Sequence, residues 1–186
     1  VSIALAGAFV TGVVAVPIAY LSVRVHSRLT TFLENATYIG FALPGIAVAL
    51  GLVYFASTYL GFLYQTTILL VFAYVILFLS PAVGTNHASL LQVAPKLEEA
   101  ARSLGKTAIE VFAMVTLPLI SRGALTGMGL VFVLIMKELP ATLILSPIGF
   151  TTLATDVWSS ASEVFYTQAA VSSLLLLSMT AIPMIL

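Results

Sequence analysis

The sequence predicts an all-α integral membrane fold of five spanning helices, with a helical segment held in the cytoplasm between the third and the fourth. Three observations carry that reading. Of 186 residues, 61% are hydrophobic and only 8% are charged, whereas a soluble domain carries roughly a quarter charged residues. So few charges cannot clothe a water-facing surface, and the main solvent must be lipid. Five apolar stretches approach the ~20 residues that cross a bilayer. The basic side chains, finally, cluster on one side of those stretches. Zero net charge leaves no basic surface for nucleic acid. The lack of cysteine excludes disulfides, thiolate metal sites and cysteine nucleophiles.

The first span covers residues 1–23 and is closed by Arg24, His26 and Arg28. No charged segment of a signal peptide precedes it, and the chain stops at Leu186 inside another apolar run. Residues 1–186 therefore read as a single transmembrane domain, a fragment or one half of something longer. The second span is predicted over 36–57, the third over 66–84, the fourth over 123–145 and the fifth over 166–186. Pro17, Pro44 and Pro140 fall within spans, where kinks are tolerated if neighbours re-satisfy the backbone. Gly123 with Gly127, and Ala47 with Gly51, have the spacing of small-residue pairs that let helices approach closely. Glycine and alanine are also simply common in membrane helices.

Orientation follows from Lys and Arg placement. Arg24 and Arg28 follow the first span; Lys96, Arg102, Lys106 and Arg122 lie between the third and fourth. Five alternating spans put both groups on one side, which is then the cytoplasm. The opposite side holds 58–65 and 146–165, whose charges are Asp156 and Glu163. The N-terminus is then outside, and an outside N-terminus without a signal predicts a further span ahead of it.

The segment 88–122 holds Lys96, Glu98, Glu99, Arg102, Lys106, Glu110 and Arg122, half of all the charges. Its pattern predicts two short helices. Pro95 suits a first helical position, Glu98 and Glu99 suit the early turns, and Gly105 suits a left-handed cap. Leu97, Ala100, Ala101 and Leu104 then form one narrow face, half of it alanine, that another surface can approach closely. Thr107 and Glu110 have capping-box spacing and start the second helix, which carries Val111, Phe112, Met114 and Val115. Pro118 is expected to end or kink it. Such a unit reads either as an interfacial helix on headgroups or as a docking element for a soluble partner. Leu104-Gly105-Lys106-Thr107 looks like the end of a phosphate-binding P-loop, but that motif needs Gly at position 100, which is Ala.

Glu99-Ala100-Ala101, then Gly105, then Val115-x-Leu117-Pro118 resembles the EAA motif of ABC-importer inner-membrane permeases, with Val115 in place of Ile. The resemblance covers the whole chain and implies the type I importer transmembrane domain. It implies that 94–104 includes the coupling helix, with Glu99, Ala100, Ala101, Gly105, Leu117 and Pro118 as the ATPase-coupling residues. The implied partners are a dimer of ABC ATPase subunits, a second permease domain or copy, and an extracellular or periplasmic binding protein. ATP and magnesium would be used by the ATPase; the chain itself would bind no cofactor, hold no metal and catalyse no bond chemistry. The implied place is the bacterial inner membrane.

Lys137 and Glu138 lie about 15 residues past Arg122, or roughly 22 Å of helix, in the outer part of a ~30 Å core. Neighbours on a helix diverge by about 100°, so the two are not both expected to face lipid. Either they line a translocation pathway or gate together with Pro140 and Thr142, or they are a structural pair satisfied by neighbouring helices and snorkelling. The run from Lys137 to Leu143, with Pro147-x-Gly149-Phe150 and the Thr152–Trp158 stretch, resembles the C-terminal half of ferric-iron ABC permeases, which are two fused copies of such a unit. Phe41-Ala42-Leu43-Pro44-Gly45 and Leu63-Tyr64-Gln65-Thr66 fit the same group, while Ser146 and Ser80 depart from it. Thiamine, phosphonate and polyamine permeases share much of the scaffold. His26 and His87 stand alone near membrane boundaries, so the residues themselves present no iron site. Residues 146–165, with Asp156, Trp158 and Glu163, are the expected outer surface for a binding protein. Rival readings are an ion-coupled secondary transporter using Lys137 and Glu138, or a structural membrane subunit with no substrate path.

Overall fold

A computed structural model describes residues 1–25 and 27–185. His26 and Leu186, the last residue of the fifth predicted span, lie outside the described residues. The elements formed are helical. Among the described residues, three helices are long and apolar enough to cross a membrane: α1 (Ser2–Arg24), α4 (Thr67–Leu91) and the continuous helix Ala108–Met136. The last begins with α6 (Ala108–Val111) and ends with α7 (Leu117–Met136).

The centre of the molecule is α1, α4 and α7, each packed on the other two. Small side chains make that possible. Gly7, Thr11, Ala15 and Ala19 repeat every four residues on α1, and all are buried. A Cβ at Gly7 would come within 2.8 Å of Ile135 on α7 and 3.3 Å of Tyr74 on α4. The predicted Gly123–Gly127 pair faces Ser89 and Thr85 of α4, whose hydroxyls fill the space a Cβ would need. Between lipid-dissolved helices such close backbone approach, rather than water exclusion, supplies the attraction. The Ala47–Gly51 pair does not act this way. Gly51 faces open space, and the packed face of its helix is Val48, Ala49 and Ala56.

Two predicted spans differ in shape. Residues 36–57 are not one helix but parts of α2 (Arg28–Ala42) and α3 (Gly45–Tyr59), which meet at 105°. Pro44 makes the corner: it holds Leu43 extended at φ −79°, ψ 139°, as a residue before proline prefers. At Gly40, α2 crosses α4 so closely that a Cβ would overlap the carbonyl oxygen of Ile76.

The predicted fourth span, 123–145, starts earlier and stops earlier. Pro118 does not end the helix that begins at Ala108. The chain widens into a π turn over Phe112–Thr116, where the Leu117 N–H donates to the Phe112 carbonyl five residues back. Proline lacks the N–H that the Met114 carbonyl would receive and crowds the turn before it; a wider turn gives the ring room. Leu117 keeps helical angles, φ −60° and ψ −45°, against the usual bias before proline. The helix stops at Met136, where the Lys137 and Glu138 N–H groups donate three residues back, to Leu134 and Ile135. A short α8 (Pro140–Leu145) then packs on α3. Counted by length and composition among the described residues, the candidate spans are three, or four if the bent α2–α3 pair is one. Beyond α8, the predicted 146–165 loop contains α9 (Leu153–Ser162), which packs on α10 (Tyr166–Ile185).

Candidate functional site at the α4–α7 connection

Between α4 and α6 stands α5 (Pro95–Ser103), with Pro95 in its first turn. Gly105 has φ +86°. Its own N–H donates to the Arg102 carbonyl and the Lys106 N–H to the Ala101 carbonyl. This is the left-handed cap its residue type suits, since a Cβ is costly there. Two residues on, Thr107 and Glu110 cap each other reciprocally: the Glu110 N–H donates to the Thr107 hydroxyl at 3.3 Å, and the Thr107 N–H to Glu110 Oε2 at 2.8 Å. Both predicted helix boundaries are thus made by the residues whose spacing suggested them.

Among the described residues, the apolar face of α5 is left largely open. Leu97 is 50% exposed and Leu104 85%; Ala100 is exposed and Ala101 half-buried. Ile109, at 81%, extends the face onto α6. Glu99 is exposed beside it, its backbone carbonyl accepting a hydrogen bond from Ser103. Leu117 and Pro118 open α7 at the base of this unit, both exposed.

The opposite side of α5 carries a feature that the sequence reading missed. Glu98, adjacent to Glu99, is only 5% exposed. Its Oε1 accepts from Arg24 Nε at 3.1 Å and from the Thr116 hydroxyl at 3.1 Å. Its Oε2 lies 3.5 Å from the Tyr20 hydroxyl. Arg24 also donates from Nη2 to the Val93 carbonyl at 2.8 Å, and Tyr20 stacks edge-on against Phe112 at 5.0 Å. The end of α1, the α4–α5 turn, α5 and the π turn therefore meet at one polar node. The signal available in the sequence was the pair of adjacent acids on a short helix: their divergence of about 100° sends one outward and the other inward.

At the other end of α7, the structure bonds Thr142 to Glu138 and leaves Lys137 and Pro140 exposed. Glu138 is half-buried. Glu138 Oε1 accepts from the Ala141 N–H at 2.7 Å, which caps α8. The same oxygen would stand 2.8 Å from a Cβ on Gly45, at the start of α3. The Thr142 hydroxyl donates to the Glu138 carbonyl at 2.7 Å and pairs with the buried Tyr74 hydroxyl of α4, also at 2.7 Å. Among the residues expected on the outer surface, Trp158 and Glu163 are exposed, whereas Asp156 is half-buried and accepts from Ser172 on α10. His87 is half-buried within α4.

The family model described as the binding-protein-dependent transport system inner membrane component matches residues 8–186. The Fe(3+)-transport system permease protein FbpB 2 of Haemophilus influenzae is 38% identical over 180 residues, which are 97% of this chain and 36% of that protein. The chain thus spans about a third of the length of that relative. Among solved structures, an inward-facing MetNI methionine ABC transporter superposes with a TM-score of 0.77 at 16% identity, over 98% of this chain and 88% of the other. An amino acid ABC transporter with histidines gives 0.64 at 20% identity, over 100% and 89%. Those two likenesses establish the fold.

Proposed function

Because the chain belongs to the family of binding-protein-dependent transport system inner membrane components, we propose that it is the membrane-spanning permease part of an ATP-driven importer and that α5 is where it engages the ATPase. The observation that carries the proposal is the largely open apolar face of α5, Leu97, Ala100, Ala101 and Leu104, presented on a helix capped at Gly105 and held from behind. A narrow face half made of alanine suits a cleft on a soluble partner. Its placement beside Glu99 and above Leu117-Pro118 fits the motif shared with importer permeases. The partners in this reading are a pair of ATPase subunits, a second permease domain, and an external binding protein that meets the 146–165 side. ATP binding closes the ATPase pair, and α5 passes that closure to the spans.

Five spans remain the proposed topology, with α2–α3 as one broken span and α10 (20 residues) as the fifth. Ferric iron is the proposed cargo, supported by the relative whose name carries Fe(3+) transport. Lys137, Glu138, Pro140 and Thr142 are the proposed pathway or gate. The break in helix between α7 and α8 supports this, because irregular backbone at membrane depth is tolerated where it is buried in protein or lines a cavity.

The test replaces Glu99 by Lys and Gly105 by Val in the intact transporter. Both changes should abolish uptake of radiolabelled ferric iron and reduce the ATPase that co-purifies. Normal uptake and co-purification in both variants would sink the docking assignment.

A further inference from the structure

Nothing in the docking face explains why Arg24, Glu98, Thr116 and Tyr20 converge behind it. The ionic side chains there are 13% and 6% exposed, so they are withdrawn from the surface a partner would touch. Burying an ion pair is weak evidence for stability, because desolvation offsets the attraction. A buried pair can instead specify a unique arrangement, and here that arrangement is a junction between the end of α1, α5 and the π turn. Arg24 closes α1, one of the three central helices, and holds both Glu98 on α5 and the Val93 carbonyl between α4 and α5. Glu98 in turn holds Thr116, the last residue of the π turn that leads into α7. The arginine fork reaches two acceptors at once, which a lysine ammonium on its single stem does not reproduce.

We propose that the Arg24–Glu98 pair, with Thr116, is the joint that fixes α5 to the ends of α1 and α7, so that displacement of the docking helix moves those two spans. Glu98 and Arg24 are then positioning residues that act behind the docking face, without contacting the ATPase. The inference rests on α5 being the ATPase-docking helix.

The experiment uses the intact transporter in vesicles, with the ferric-loaded binding protein outside. Three quantities are read together: ATPase retained on purification, ATP hydrolysed, and radiolabelled iron taken up. Glu98→Gln keeps the shape and the Thr116 contact but removes the charge. It should retain the ATPase and hydrolyse ATP, while uptake per ATP falls at least about fivefold, the low end of common coupling strengths. Arg24→Lys keeps the charge but cannot hold Glu98 and Val93 together; it should accumulate in the membrane and show a smaller loss in the same ratio. Unchanged uptake per ATP in either variant overturns the joint. So does loss of the bound ATPase in both, which would assign the node to docking alone. Failure of the unmodified transporter to hold any ATPase would instead overturn the docking reading, a result distinct from a loss confined to the variants.

Discussion

Gly45 and Glu138 show how little room the α3–α8 contact has. Glu138 Oε1 cannot retreat from an added Cβ without releasing the Ala141 N–H that it accepts. Gly45→Ala should therefore cost about 1–3 kcal/mol, the usual range for overpacking, read as a lowered thermal midpoint in detergent. Adding Glu138→Ala removes the clash, so the double variant should be less destabilised than the sum of the two singles; simple additivity would count against the contact. The residue scale is also where the sequence was least legible. Glu99 drew attention through its motif, yet its neighbour Glu98 makes the ionic contact. Gly40 and Gly45 carry no periodic signal, because each matters only through a partner far along the chain. The caps at Gly105 and Thr107 were legible because their chemistry is local.

Helix pairing, at the element scale, turns on where side chains are absent. Gly127→Val should push α7 from α4, since even its Cβ overlaps the Thr85 hydroxyl. The expected cost is about 1–3 kcal/mol, partly recovered by Thr85→Ala. Gly51→Val, which meets open space, should leave the same thermal midpoint unchanged. The sequence located Gly123 and Gly127 through their spacing but gave Ala47 and Gly51 equal standing, because four-residue spacing does not say which helix face is occupied. Span positions were legible from apolar length; span shape was not. Pro44 and Pro118 look alike in a sequence, yet one makes a 105° corner and the other only a π turn. The difference lies in the residue before each: Leu43 is extended, while Leu117 stays helical with its N–H bonded to Phe112.

For the whole molecule, the distribution of apolar surface matters most. Large hydrophobic side chains such as Phe9, Phe32, Ile68 and Leu174 are exposed along the helices, each above 60%, as a lipid-facing or partner-facing wall requires. Composition alone made that much legible. The proposed source of energy rests, on the sequence side, on the Glu99–Pro118 motif alone, since composition and span pattern do not distinguish an ATP-driven importer from an ion-driven carrier. Uptake into vesicles should stop when ATP is depleted and continue in the presence of a protonophore. The reverse result would place the chain among ion-driven carriers, with Lys137 and Glu138 as the coupling pair.

The π turn at Phe112–Thr116 has a consequence for angular phase. One additional residue in a single turn advances the helix by about 100°, so α6 and α7 share an axis without sharing a face. Val111 can point into the core while Ile109 and Met114 point outward, and α7 still turns Gly123 and Gly127 onto α4. A sequence periodicity traced through 108–136 must lose step at this turn. The offset lets one continuous rod answer to two sets of neighbours, one at the water and one in the bilayer.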